Sequence, residues 1–269
     1  MDVTFFYGAL LLYVVGTIAY LLLLSFKGGR LSRIATAATL GGFVLHTLAL
    51  LLRLVAAGRL PPGNPYEALS FFAWATVLVY LGLEFQFQRK VIGAFVLPIV
   101  LLSTAAAASL PKGPGLPSAL ASTGIWLHVT LVLLGNAALA LTCGVGLMYL
   151  LQERQLKSKS LGAIYYRLPS LEFLDLLGHR SLLIGFPLLT AGLIAGAIQA
   201  HHAWGRFLTW DPTQVLSLLA WVVYAGILQA RLTAGWRGRK AAILSILGFC
   251  AVLLTFLGVS VMVGRPHAF

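Results

Sequence analysis

Charge is scarce in this chain, and acidic charge scarcest: seven Asp and Glu stand against 19 Lys and Arg in 269 residues. Only 10% of the residues are charged and 59% are hydrophobic, and the mean hydropathy is +0.93. That excludes an ordinary soluble domain and implies a polytopic membrane protein. Cysteine is nearly absent. Cys143 and Cys250 each lie inside an apolar run and no Cys-x-x-Cys occurs, so the chain has no thiol-reducing motif, and both residues are expected as small core residues. Nucleotide loops, zinc-ligand spacings and nucleophile elbows are missing. No low-complexity tract or internal repeat stands out. A net charge of +12 raises nucleic acid as a partner. The cations sit in short connectors between apolar runs, however, and that pattern argues for no nucleic acid.

What is present is a series of apolar segments, at about 4–26, 34–57, 67–87, 91–110, 125–151, 181–200, 213–231 and 241–262. Each is near the roughly 20 residues that a helix needs to cross a bilayer. Backbone polar groups in lipid must pair internally, so each segment is expected to be an α-helix. The fold class is therefore all-α, with about eight transmembrane helices in one integral membrane domain spanning 1–269. The first run, Phe5 to Phe26, lacks a basic n-region and a small-residue cleavage site, so it reads as a span rather than a signal peptide. Fourteen of the 19 basic residues fall in one set of connectors and five in the other. By the positive-inside rule the first set is cytoplasmic, which places both termini and residues 201–212 outside.

The connectors differ in character. Residues 58–66 are rich in Pro and Gly, and 111–124 in Pro, Gly and Ser, as turns are; the second can cover a site or merely connect. Glu67 begins the third helix, where a carboxylate suits the helix dipole or serves a site. In the cytoplasmic segment 152–180, Leu168, Leu171, Leu174 and Leu177 recur at helical spacing. That stripe reads as an amphipathic helix at the membrane surface, starting at Pro169-Ser170 and ending at Gly178, or as a docking face for a soluble partner.

The densest chemistry lies in 201–212, His201-His202-Ala203-Trp204-Gly205-Arg206-Phe207-Leu208-Thr209-Trp210-Asp211-Pro212. Indoles offer a broad apolar face and one donor, and imidazoles are metal ligands. The combination suits a flat, apolar, metal-centred ligand such as haem; an interfacial aromatic belt is the plainer reading. His128 and His267 lie on the same side as this loop. An imidazole from each can reach one iron from opposite faces, or the two are separate interfacial residues. His201 and His202 read as contacts to haem propionates or a partner, or as interfacial residues. His46 is mid-span and either meets a cofactor or bonds a neighbouring helix. His179 belongs to the cytoplasmic side.

Trp204-Gly205 followed by Trp210-Asp211-Pro212 resembles the tryptophan-rich WWD signature of the Ccs-type (System II) cytochrome c assembly proteins and their Ccm-type and HemX-like relatives. Gly185-Phe186-Pro187-Leu188-Leu189-Thr190, the segment Gly192 to Trp204, Asn64-Pro65-Tyr66-Glu67-Ala68-Leu69 with Trp74, and the tail from Phe256 to Phe269 are similar to the same family. The resemblance runs from about Phe43 to the C-terminus. It implies haem b as cofactor, held externally in the cell inner membrane, with His128 and His267 as axial ligands. Trp204, Trp210, Phe207, Arg206, Asp211, His201 and His202 would surround it. It further implies haem presentation to an apocytochrome c, with a large Ccs-type membrane partner and the lipid bilayer as surroundings. The chain would then be a possible subunit of a cytochrome c synthase, with no catalytic residue assigned. Two departures stand out: Thr213-Gln214-Val215 replaces the usual Lys-Glu-Thr, and Gln229 stands where the family has a histidine in the following helix. These keep two alternatives open, a HemX-like regulator of haem synthesis and a structural or electron-transfer subunit that retains the fold.

Overall fold

The computed structural model describes residues 1–26, 28–58, 63–112, 123–158, 162, 164–208, 210 and 212–263, excepting the side chains of 212, 213 and 254–263. Its regular elements are α1 Asp2–Leu22, α2 Gly29–Ala57, α3 Pro65–Phe87, a 3-10 turn Lys90–Ile92, α4 Gly93–Ser109, α5 Thr123–Lys157, α6 Leu171–Trp204, α7 Pro212–Thr233 and α8 Arg239–Val263. No strand occurs among the described residues. Seven of the helices are long and apolar enough to cross a membrane by the described residues alone, and α8 adds 25 residues of the same character. The chain is thus the all-helical membrane protein its composition implies.

Each helix matches an apolar segment of the sequence, but α5 and α6 outgrow theirs, at 35 and 34 residues. At about 1.5 Å per residue each spans roughly 50 Å, well beyond a hydrocarbon core of about 30 Å. The segment 152–180 is therefore not one connector. Its first residues end α5 and its last ones begin α6. Ser170 caps α6 as expected, its hydroxyl accepting the Phe173 N–H at 3.3 Å, but Gly178 ends nothing and lies inside the helix. The leucine stripe also departs from the expectation of a surface helix. Leu168, Leu174 and Leu177 are buried in the core with Tyr80, Ile92 and Val145. These residues point into the bundle because the start of α6 is continuous with the long helix that packs along α5. They offer no docking face.

The core is organised around α5, which meets α3, α4, α6 and α8. Its middle is a run of small residues, Gly135, Ala137, Ala138, Ala140, Gly144 and Gly146, all buried. In lipid, helices associate through close packing and hydrogen bonds rather than by escaping water, so small residues at the contact matter most. A Cβ at Gly135 would stand 2.8 Å from the Leu189 backbone nitrogen of α6. Two apolar clusters share this axis: one joins α1 to α5 and the start of α6, the other joins α3 and α5 to α6, α7 and α8. Cys143 is buried there as expected, but Cys250 faces outward from α8.

Several buried polar groups are satisfied between helices. Glu84, 2% exposed, receives the hydroxyls of Tyr20 and Tyr80 on one oxygen and that of Thr36 on the other, each at 2.5 Å. His46 lies between the Ser70 hydroxyl at 2.8 Å and the Tyr13 hydroxyl at 3.3 Å, so the helix-bonding reading of that residue is the one the contacts support. The Arg167 guanidinium donates to the carbonyls of Leu23, Ser25 and Phe26, which α1 leaves open at its C-terminal end.

Candidate functional site

The Asn-Pro-x-Glu stretch before α3 acts as structure. Asn64 caps α3, accepting the Glu67 N–H at 2.8 Å, with Pro65 as its first residue. Glu67 reaches back to the Gly63 N–H at 2.7 Å and pairs with Arg53 of α2 at 2.9 Å. Arg53 also meets Asp2 at 3.4 Å and the Lys112 carbonyl at 3.0 Å. Of the two readings of Glu67, the helix-start one is what the contacts carry, strengthened by an ion pair in which the Glu67 side chain is 1% exposed. Beside it, α2, α3 and α5 leave an apolar cleft of about 170 Å³, lined by Thr47, Leu50, Leu51, Leu54, Phe71, Trp74 and Trp126.

At the same end of the bundle, α6 carries His201 and His202 in its last turn and closes on Gly205. That residue has φ 68° and returns its N–H to the His201 carbonyl at 2.8 Å, the left-handed ending that favours glycine. The connector to α7 then folds back. The Phe207 ring lies flat on the His201 ring, with centroids 4.3 Å apart and planes 5° from parallel. Trp210 is held at φ 57°, a region non-glycine residues avoid. Gln214, in the first turn of α7, accepts the Trp210 N–H at 3.1 Å and donates its own amide to the Phe207 carbonyl at 3.2 Å. The result presents Trp204, Phe207 and Trp210 at 66%, 55% and 70% exposure, with Arg206 and His202 also exposed. Asp211 lies outside the described residues.

His128 belongs to the first turns of α5 and leans on α6. Its Nδ1 lies 2.6 Å from the Gly192 carbonyl. A carbonyl only accepts, so Nδ1 carries the proton and the neutral ring leaves Nε2 as the basic nitrogen. Such an N–H···O=C bond is what orients imidazoles that bind metals. The approach depends on glycine: a Cβ at Gly196 would fall 2.5 Å from the His128 Cε1, and one at Gly192 would fall 2.7 Å from Val132. From Gly196 to Trp204 is eight residues of one helix, roughly 12 Å along its axis. The structure thus ties His128 of α5 to the helix that leads into the aromatic connector. No group of three or more His, Cys, Asp or Glu able to hold a metal occurs among the described residues. His267 lies outside the described residues. Sequence reasoning missed the parts played by Gly192, Gly196 and Gln214; the one signal for the first two is a glycine pair four apart.

The sequence profile of the family described as "Cytochrome C assembly protein" matches residues 62–267, from the cap of α3 to the C-terminal histidine. The chain belongs to that family. Its relatives are CcsA-type: the chain is 33% identical over 308 aligned positions to the cytochrome c biogenesis protein CcsA of Pyropia yezoensis, covering 99% of this chain and 96% of that one. It is 37% identical over 250 positions to CcsA of Prochlorococcus marinus (strain MIT 9301), covering 84% and 81%. Among solved structures, the cytochrome c heme lyase CcmF shares the fold at TM-score 0.71 and 17% identity, covering 97% of this chain and 49% of that one. The chain therefore spans about half of CcmF's length. A role in cytochrome c assembly follows from the family. Gln229, where the resemblance implied a histidine, is exposed on α7.

Proposed function

We propose that this CcsA-type protein holds haem b on the external face of the cell inner membrane and presents it for attachment to apocytochrome c. The observation that carries the reading is the His128–Gly192 bond at 2.6 Å, which leaves Nε2 available to iron beside an exposed aromatic connector. Haem iron takes neutral imidazole as an axial ligand. His128 would supply one imidazole and His267 the other. Trp204, Phe207 and Trp210 would lie on the macrocycle, their exposed rings suited to a flat apolar partner. Arg206 would pair with a propionate, and His201, His202 and Asp211 would complete the rim. Bound haem would supply the vinyl groups to which the apocytochrome's cysteine thiols add; the protein's share is binding and orientation. A large Ccs-type membrane partner would complete the assembly.

The HemX-like regulatory reading is left with the departures at Thr213-Gln214-Val215 and Gln229, because Leu168, Leu174 and Leu177 of the stripe that would dock a soluble enzyme are buried. The test is the visible spectrum of detergent-purified protein. Wild type should show a low-spin b-type spectrum. His128→Gly or His267→Gly should lose haem, and added imidazole should partly restore it by occupying the vacated position. Spectra of both variants identical to wild type at equal haem content would remove the proposed site.

A further inference from the structure

No repeat was expected from the sequence, and the structure overturns that expectation. Gly42-Phe43-Val44-Leu45-His46-Thr47 in α2 matches Gly185-Phe186-Pro187-Leu188-Leu189-Thr190 in α6. Further on, Gly58, Pro65, Leu69, Ser70, Ala73 and Trp74 recur as Gly205, Pro212, Leu216, Ser217, Ala220 and Trp221, each at the same separation. Either match alone is weak, but the contacts agree. Phe43 stacks on Trp74 with centroids 5.5 Å apart, and Phe186 on Trp221 at 5.6 Å. The Trp74 indole N–H donates to the Thr47 hydroxyl at 2.8 Å, and that of Trp221 to the Thr190 hydroxyl at 2.9 Å. Each threonine bonds back to the carbonyl of its own phenylalanine at 2.8 Å. Gly58 and Gly205 end their helices at φ 61° and 68°. Pro65 and Pro212 begin the next ones. Finally, the Gly63 N–H meets the Glu67 carboxylate at 2.7 Å, and the Trp210 N–H meets the Gln214 amide oxygen at 3.1 Å.

We infer that residues 42–74 and 185–221 are two copies of one helix–loop–helix unit, and that Gln214, the counterpart of Glu67, is the positioning residue for the tryptophan-bearing loop. In the first copy the back-bonding side chain is a carboxylate. It can only accept, and it needs Arg53 as its partner. In the second copy an amide both accepts from Trp210 and donates to Phe207, so one side chain bonds the loop in both senses. Position 214 therefore places no negative charge beside Arg206. The second copy also holds four more residues between its threonine and its glycine, 191–204 against 48–57. That is about 6 Å of extra helix, and it carries His201, His202 and Trp204 beyond the level of the first copy. One copy is a locked structural corner; the other is the same corner raised and furnished with aromatic rings. The haem readout of this inference rests on the function proposed above, while the loop clamp does not.

The test uses full-length, detergent-purified, haem-free protein carrying 5-fluorotryptophan, with each of the six tryptophan lines assigned by Trp→Phe substitution. Gln214→Ala should shift and broaden the Trp210 line while those of Trp74 and Trp221 stay in place. Gln214→Glu keeps the acceptor and loses the donor, and should give a smaller shift. A Trp210 line unmoved in Gln214→Ala would overturn the clamp. Thr47→Val should move Trp74, and Thr190→Val should move Trp221 in the same direction; movement of one without the other would overturn the equivalence of the copies. With haem added, Gln214→Ala should release it about fivefold faster, and Gln214→Glu about twofold faster, at unchanged band positions. If the Trp210 line moves but haem release does not change, the clamp stands and the placement of haem at this loop falls.

Discussion

His128 gives its Nδ1–H to the carbonyl of Gly192 across the α5–α6 contact, at 2.6 Å, and its ring fills the space left by the missing side chain of Gly196. The tautomer that can bind iron through Nε2 is thereby set by the fold itself. Gly196→Ala should displace the ring and lower haem retention about tenfold. The same substitution in a His128→Gly background, with imidazole added, should cost nothing further, because free imidazole is not tethered to α5. A double-mutant cycle of haem affinities measures this coupling; equal losses in both backgrounds would make Gly196 a packing residue only. Gly226→Ala, where a Cβ meets nothing within 4 Å, serves as the control.

The aromatic connector should act on occupancy and not on ligation. Trp204→Ala or Trp210→Ala should weaken haem binding by roughly three- to tenfold, the equivalent of about 0.5–1.5 kcal/mol per ring contact, with the low-spin bands unmoved. Titration of purified protein with haem, followed in the visible, reads both quantities. A change to a high-spin spectrum in either variant would mean that the indole positions an axial ligand. His179→Ala, in the first turns of α6 and far from the connector along that helix, should leave the spectrum unchanged.

Glu84 ties α1, α2 and α3 together through three hydroxyls at 2.5 Å. Hydrogen bonds between membrane helices contribute about 0.6 kcal/mol each on average and up to about 1.7 kcal/mol. Glu84→Leu, which removes the shared acceptor of all three hydroxyls, should therefore cost on the order of 2–4 kcal/mol and lower the melting temperature in detergent. Glu84→Gln keeps size and an acceptor and should cost less than half as much. Equal melting temperatures for Glu84→Leu and wild type would mean that the hydroxyls find other partners.

Orientation is testable independently of haem. Fourteen basic residues against five predict that both termini and the tryptophan-bearing connector are external. Reporter fusions after Lys90 and after Pro114 should report cytoplasm and exterior respectively. The reverse pattern would move the proposed haem site to the cytoplasmic face.

The sequence alone determined the helices, since a backbone in lipid has few alternatives to the helix and apolar runs near 20 residues announce each span. It also located the chemistry, because two indoles and two imidazoles in one connector are conspicuous against a chain that is 10% charged. What it left undecided depends on which helix meets which. Leu168, Leu171, Leu174 and Leu177 have the spacing of a surface helix, and only the packing of α6 against α5 buries Leu174 and Leu177 in the core, with Leu168 beside them. Glu67 suits a helix start or a site equally well until Arg53 of another helix is beside it. The Nδ1–H tautomer of His128 comes from a carbonyl 64 positions away. The two copies of the Phe–Thr–Trp unit differ by a four-residue insertion that hides them from a scan at fixed spacing. Their identical hydrogen bonds make the relation visible, because geometry is conserved by the contacts a fold needs even where the residues between them have changed.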